Sequence, residues 1–155
     1  MDILMIGVIL VFFGVVVLVG SKVMSEVNSQ LQNLDIIPTD SKEVSQRMTD
    51  YYPGIIDNSF LMLTVGLGII TLILAAMVRI HPIFIPIFLI FFIFLIFLSG
   101  VFSNIYQKMA ENSEFASIAS DLTMTTHILT YLPIIVGIFG TLLMIIMYKN
   151  YQEAQ

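Results

Sequence analysis

The chain has 155 residues, of which 58% are hydrophobic and only 11% are charged. This composition excludes an ordinary soluble domain and indicates an integral membrane protein. Cysteine is absent, which excludes disulfides, thiolate metal sites and cysteine nucleophiles. The formal net charge is -5 and no cluster of Lys or Arg occurs, which argues against nucleic acid as a partner.

The first apolar run covers residues 3–20 and predicts a transmembrane helix. A cleaved secretory signal is disfavoured, because Asp2 stands where a basic region would be. The run is also too long for such a signal, and no small-residue cleavage site follows it. We therefore expect an uncleaved first span.

The first helix is predicted to continue into an extramembrane loop, residues 21–59, with an apolar stripe of Val23, Val27, Leu31 and Leu34. A helix over 3–34 would be about 48 Å long, against a hydrocarbon core of about 30 Å. A helix lying on lipid headgroups usually carries basic residues on its polar face, whereas this one has Lys22 alone. We therefore expect the stripe to contact protein, either another part of this chain or a partner, and assign it as a partner-facing surface.

The rest of this loop is predicted to hold one short amphipathic helix. Pro38 ends the preceding helix, and Asp40 is a candidate cap for the short one. Pro53 and Gly54 predict a turn after it. Asp57 is then a candidate cap for the next transmembrane helix, because negative charge is favourable at a helix N-terminus.

Two charge-free runs, 60–78 and 83–103, flank the short segment Val78-Arg79-Ile80-His81-Pro82. Each run is long enough to cross the hydrocarbon core. The connection leaves room only for a reversal, so we expect a tight hairpin of two antiparallel helices lying side by side. Pro82 is favourable in the first turn of the second helix, where its missing N–H costs no hydrogen bond.

Small residues at helical spacing predict two faces on which another helix can pack closely. The face in span 60–78 consists of Thr64, Gly68, Thr71 and Ala75. The face in the last span, 128–148, consists of Pro133, Gly137, Gly140 and Thr141. Span 83–103 is dominated instead by Ile, Leu and Phe, and is expected to face lipid or other large side chains.

Residues 104–127 are the second predicted extramembrane loop. Ser113 is a candidate cap for a short amphipathic helix, and a threonine-rich bridge leads from that helix to the last span. The apolar face of this helix is expected to meet a partner through Phe115, Ile118 and Leu122.

The fold class predicted is all-α: one integral membrane domain over 1–155, with four transmembrane helices, a central tight hairpin and two short amphipathic loops on one side. Both termini and Arg79 then lie on the other side of the membrane. The position of Arg79 in the tightest loop favours termini in the cytoplasm.

The sequence contains no pattern that indicates catalysis. The predicted spans contain no ionisable residue, and His81 and His127 lie at opposite interfaces, where they cannot share a metal. The chain has no metal-ligand spacing, phosphate-binding glycine loop or nucleophile elbow. We expect no enzyme, no cofactor, no metal site and no catalytic residue.

At His81-Pro82-Ile83-Phe84, Ser103-Asn104-Ile105-Tyr106 and Leu132-Pro133-Ile134-Ile135 the chain resembles small multi-pass membrane proteins of environmental bacterial viruses. The shared order is an amino-terminal anchor, a Gln/Asn-rich helix, a hairpin, an acidic Ser-rich loop and a closing span. The resemblance implies a viral origin, with tailless double-stranded DNA viruses that have an internal membrane as the setting. It assigns no role to any residue.

The expected function is that of a non-enzymatic scaffold in a virion internal membrane, which links lipid to the capsid or to neighbouring membrane proteins in a multi-subunit assembly. One alternative is a holin-like lysis protein of the host inner membrane. Another is an accessory subunit of a larger cellular membrane complex.

Overall fold

The computed structural model describes residues 2–77 and 84–152, and in these residues it is all-α, with no strand. The helices in chain order are α1 Asp2–Gln32, α2 Thr39–Met77, α3 Phe84–Ala110, α4 Ala116–Asp121, α5 Thr123–Thr130 and α6 Leu132–Gln152. The predicted turn at Val78-Arg79-Ile80-His81-Pro82 lies outside the described residues.

Four helices within the described ranges are long and apolar enough to cross a membrane: Gly7–Gln32, Thr39–Met77, Ile85–Ala110 and Leu132–Lys149. The prediction of an all-α membrane protein with four candidate spans is thus confirmed at the level of length and composition. The last span begins later than predicted, because the chain leaves helical geometry at Tyr131 and α6 starts at Leu132.

α2 is one continuous helix of 39 residues, so the predicted turn at Pro53 and Gly54 is wrong. Pro53 has no N–H to donate to the carbonyl of Thr49, which ordinarily weakens or kinks a helix. The helix persists because α1 packs along it on both sides of the proline, at Gln46 and at Phe60. Tertiary contact overrides the local breaking signal.

α1 and α2 run antiparallel. Near the loop that joins them, the Asn28 Nδ2 group donates to Gln46 Oε1 at 2.8 Å. Farther from this loop, the rings of Phe13 and Phe60 stack with their centroids 6.0 Å apart. Residues that come later in α1 therefore meet residues that come earlier in α2, as in a helical hairpin.

α6, rather than α3, is the close neighbour of α2 on the other flank. The prediction that α2 and α3 lie side by side is wrong for the described residues, where these two helices have almost no direct backbone contact. The reason is steric: Gly68 of α2 leaves room for Phe139 of α6, and Gly140 of α6 leaves room for Phe92 of α3. In each case the glycine of one helix makes room for an aromatic ring of the neighbouring helix, so α6 packs between α2 and α3.

The densest packing lies towards the end of the bundle that carries the α1–α2 and α3–α4 loops, called here the loop-side end. Leu18, Phe60, Tyr106 and Leu129 are fully buried there. On the outside of the bundle large apolar side chains are exposed, including Phe12 at 70%, Met62 at 76% and Phe97 at 69%. Such surfaces suit contact with lipid, where apolar exposure carries no hydration penalty.

Candidate functional site

The loop-side end is held together by a carboxylate in the middle of α2. Asp57, only 7% exposed, accepts hydrogen bonds from the backbone N–H groups of Met124 at 2.8 Å and Thr125 at 2.6 Å. These are orphan donors at the first turn of α5, whose N-terminus also favours negative charge. The sequence prediction that Asp57 caps its own helix is wrong, because α2 has already run for many residues at that point.

A second set of hydrogen bonds ties α5 to α3. The Thr126 hydroxyl donates to the carbonyl of Ala119 at 3.1 Å, so the Tyr106 hydroxyl, 3.1 Å from Thr126 Oγ1, is the donor between those two. One turn away, Ser103 donates through its hydroxyl to the carbonyl of Thr130 at 2.6 Å. The segment predicted as a threonine-rich bridge is therefore a helix anchored on two sides.

The turn before α4 is anchored by Lys22 of α1. Its Nζ lies 2.7 Å from Glu114 Oε2 and 4.7 Å from the centroid of the Phe115 ring. The hydrogen bond from Lys22, together with its positive charge, holds the pKa of the exposed Glu114 carboxyl below its ordinary value. Ser113 does not cap α4, which begins at Ala116 without a side-chain cap.

Part of the polar face of α1, at Asn28 and Gln32, is turned inward against α2. Asn28 is buried, and its Oδ1 accepts a hydrogen bond from the Ser45 hydroxyl at 2.8 Å. Gln32 and Lys42 exchange hydrogen bonds: the side chain of each donates to the backbone carbonyl of the other at 2.8 Å. The helix thus packs on α2 through the residues that the sequence pattern would place in water.

The apolar stripe of the same helix is turned outward. Val23 is 54% exposed, and Val27 and Leu34 are each 49% exposed, while Leu31 is half-buried. α2 also exposes Met48, Tyr51 and Ile55 at this level. We use the term outer apolar surface for these exposed residues taken together: Val23 and Val27 on a face of α1, and Met48, Tyr51 and Ile55 on a separate face of α2.

The position of this surface follows from the register of α1 and α2. The stacking of Phe13 on Phe60 sets these two residues at one level, and Phe60 begins the charge-free run of α2. Residues 14–20 of α1 are still apolar, so the apolar wall of α1 extends about 10 Å farther towards the loops. Val23, Val27, Met48 and Tyr51 lie at or beyond the end of that extension, and Ile55 lies just within it.

The second predicted partner face, Phe115, Ile118 and Leu122, is only partly exposed. Leu122 is fully buried in the chain's own core, so it does not face a partner. It is buried because α4 and α5 fold back on the bundle, where Asp57 and Tyr106 hold them. Phe115 packs against that core and below Lys22, and Ile118 is half-buried.

Some of the predicted packing residues contact another helix, and the others are partly exposed on the surface of the bundle. Gly68 and Gly140 each lie against a ring, and a Cβ added at Gly68 would be 2.6 Å from Phe139 Cζ. Thr64 and Thr71 border a small apolar cavity of about 70 Å³ between α1, α2 and α6, and their hydroxyls donate back to their own helix. The remaining predicted positions are half-buried or exposed: Ala75, Pro133, Gly137 and Thr141.

A polar cleft of about 800 Å³ opens between the C-terminal half of α1, the N-terminal part of α2 and α4. Sequence reasoning did not identify it. A signal was present, since all but Met24 of the α1 residues that line it are uncharged hydrogen-bonding side chains at helical spacing: Ser21, Ser25, Asn28, Ser29 and Gln32. A helix face directed to bulk water more often carries Lys, Glu or Arg.

Within the described residues, no group of three or more His, Asp or Glu side chains could hold a metal ion. Comparisons of the chain with protein-family models, with curated proteins and with solved structures find no match. Its function is therefore inferred from its own residues.

Proposed function

We propose that the chain is a non-enzymatic structural membrane protein that holds a neighbouring protein against the bilayer through its loop-side end. The observation that carries this proposal is the outer apolar surface. Its aliphatic and aromatic side chains are about half exposed or more, and they lie closer to the loops than the apolar run of α2 does. Large exposed apolar side chains outside the lipid are typical of protein–protein contact sites.

The inward polar face supports this reading. If α1 and α2 had been selected to end in water, their polar side chains would be outside and Val23 and Val27 would be inside. The observed arrangement differs at particular positions, since Asn28 is buried while Val23 and Val27 are about half exposed. Covering apolar surface contributes about 25 cal/mol per Å², so a partner on this surface gains stability from the hydrophobic effect.

The stiffness of the loop-side end also supports a structural role. Its short helices are fastened by Asp57, by Tyr106 and by the Lys22–Glu114 pair. A surface that is already ordered loses less conformational entropy on binding than a flexible loop does. The two loops contain nine acidic and four basic residues, so a partner with a basic contact surface is favoured.

The resemblance to small membrane proteins of bacterial viruses suggests the setting: the internal membrane of a virion, with a capsid protein as the neighbour. To test this, virions would be purified, stripped of capsid and analysed by mass spectrometry for this chain. We expect it in the lipid-containing fraction. Its absence from intact particles would contradict the proposal, and rapid loss of membrane potential on expression alone would favour a holin instead.

A double substitution tests the surface itself. Val23→Ser with Val27→Ser should lower incorporation into particles at least fivefold and leave the thermal unfolding of the isolated chain nearly unchanged, because both side chains point outward. The matched control is Ile36→Ser, which removes an apolar residue that is 93% exposed in the α1–α2 loop. Equal incorporation of the double variant and the control would contradict the role of this surface.

A further inference from the structure

The side of α2 that faces away from the bundle carries a long exposed line of mostly apolar residues, called here the α2 seam. It begins near the start of the helix and continues into the membrane span. Its members recur at alternating steps of four and three residues, and all of them are exposed: Val44, Met48, Tyr51, Ile55, Asn58, Met62, Val65 and Ile69. This spacing is the seven-residue repeat of a coiled coil, in which two helices pack along one line.

The contacts of α2 with the rest of the chain lie on its other side. Asp57 contacts α5, Phe60 contacts α1 and Gly68 lies against α6. Only 6% of the apolar window of α2 is buried, the lowest share among the four candidate spans in the described ranges. A partner can therefore reach the α2 seam without displacing any of these contacts.

Lipid alone does not cover the α2 seam. Val44 and Met48 lie about 18–24 Å along the helix from Phe60, where the charge-free run of α2 begins. Met62 and Ile69 lie inside that run. An occupant of the whole seam is therefore a helix that crosses the membrane and stays apolar on one line for about 38 Å.

A second copy of α2 has these properties. Two copies inserted with the same topology run parallel, so each seam residue meets its own counterpart. Asn58, the one amide in the seam, then faces Asn58 of the other copy, and the two amides can hydrogen-bond across the interface. A single polar residue in such a repeat sets the register and the number of strands at some cost in stability.

The charges beside the α2 seam are compatible with this pairing. Glu43, Arg47 and Asp50 lie along one flank of the seam, whereas the other flank carries the uncharged Ser45 and Tyr52. In a parallel pair, each flank of one helix meets the opposite flank of its partner. The charged flank of one copy therefore meets the uncharged flank of the other, and like charges are not opposed.

The exposed area is sufficient for a dimer. The seven apolar side chains of the seam are half to three quarters exposed. At about 100 Å² each they offer about 700 Å² per copy, close to the roughly 800 Å² that a standard interface takes from each partner. We propose that two copies of the chain associate through the α2 seam as a parallel coiled coil.

This inference rests on the proposed function, because it names the partner for one of the two faces of the outer apolar surface. The α2 face, at Met48, Tyr51 and Ile55, contacts the second copy. The α1 face, at Val23 and Val27, stays open for the neighbouring protein.

Because the chain has no cysteine of its own, single cysteines can be cross-linked without background. Val44→Cys, Met48→Cys and Tyr51→Cys test the seam, and Glu43→Cys and Asp50→Cys are controls at adjacent exposed positions. Each full-length variant is reconstituted in liposomes at low density and oxidised with copper phenanthroline. Each seam variant should give at least five times more disulfide-linked dimer than either control, because a disulfide needs Cα atoms within about 7 Å.

A charge placed in the seam gives an independent measurement. Tyr51→Glu in the Met48→Cys chain should lower the yield of cross-linked dimer at least fivefold, because two carboxylates would face each other across the interface. Val23→Glu, which adds the same charge to the exposed face of α1, should leave the yield unchanged. Native mass spectrometry of the wild-type chain ejected from lipid vesicles should show two copies.

Equal cross-linking at the seam and control positions, an unchanged yield in Tyr51→Glu, or a main species other than a dimer would each overturn the proposal. The structural role is tested separately, by the incorporation of the Val23→Ser, Val27→Ser double variant into particles. Loss of incorporation in that variant, together with equal cross-linking along α2, would uphold the structural role and remove the dimer.

Discussion

The carboxylate of Asp57 accepts a hydrogen bond from the backbone N–H of Thr125 at 2.6 Å, across 68 positions of sequence. A side chain in the middle of one long helix thus caps a short helix that belongs to a distant loop. The contact fixes where α5 begins and hence how the chain enters α6. It makes the two loops one folded unit rather than two separate connections.

Replacing Asp57 tests this unit. Asp57→Ala should lower the free energy of unfolding by about 1–3 kcal/mol, because it leaves buried backbone donors unsatisfied at the start of α5. Hydrogen exchange should rise first in residues 123–130. Unfolding in a mild detergent gives the stability, and exchange read by mass spectrometry gives the location.

The control is Asn58→Ala, at the adjacent exposed position of the same helix. It should change the stability by less than about 0.5 kcal/mol. If the two variants unfold alike, the cap on α5 contributes nothing measurable and the loops are held by their apolar contacts alone.

The four spans were predictable because about twenty charge-free residues have one common physical meaning, a helix that crosses hydrocarbon. The cap by Asp57 was not, since its donors are 67 and 68 positions away and leave no local spacing. A short helix near α4 was predicted from its amphipathic pattern, whereas α5, with eight residues, is too short to be stable on propensity alone, so only its tertiary contacts reveal it.

α2 remains helical through Pro53, and Asn28 of α1 is buried. Both features have the same explanation. Local rules assign a turn to Pro-Gly and water to Asn28. Packing between α1 and α2 overrides both, since it supplies contacts on each side of Pro53 and partners for Asn28. The sequence alone does not reveal which helix face will meet a neighbour.

Two glycines of α6, one against an aromatic ring and one with no described neighbour, allow a matched test of the helix packing. Gly140→Ala should destabilise the bundle by about 1–3 kcal/mol, because its Cβ would overlap the ring of Phe92. Gly137→Ala should be neutral or stabilising by up to about 1 kcal/mol, because no described atom outside its own helix lies within 4 Å of the new Cβ. Unfolding curves in one detergent compare the two, and equal effects would contradict the packing described.

The Lys22–Glu114 pair should give a weak, salt-sensitive dependence on pH. The folded-state pKa of Glu114 is lowered, so its stabilising contribution is present above the unfolded-state pKa and is lost as the pH falls through the folded-state value. The change is small because Glu114 is exposed.

Backbone NMR shifts of residues 114–116 during an acid titration would follow this loss. Glu114→Gln should remove the transition, whereas Glu111→Gln, at an exposed position of the same connection, should leave it in place. A transition that persists in Glu114→Gln would assign the pH dependence to another group.

The natural absence of cysteine permits a direct test of topology. Single cysteines at Ile36 and Asn112, in the two loops, should react with an impermeant maleimide from the same side of sealed vesicles. A cysteine at Lys149, near the end of α6, should react from the opposite side. Labelling of all three from one side would contradict four membrane crossings.

The register of Phe13 and Phe60 has a consequence for the surrounding lipid. The apolar run of α1, residues 3–20, reaches about 10 Å farther towards the loops than the run of α2, residues 60–78, although the two runs have nearly the same length. Lipids adapt to such mismatch by thickening locally or by letting the protein tilt. Because the two runs are staggered and nearly equal in length, we expect the α1–α2 pair to tilt in a flat bilayer, which brings both runs into the hydrocarbon.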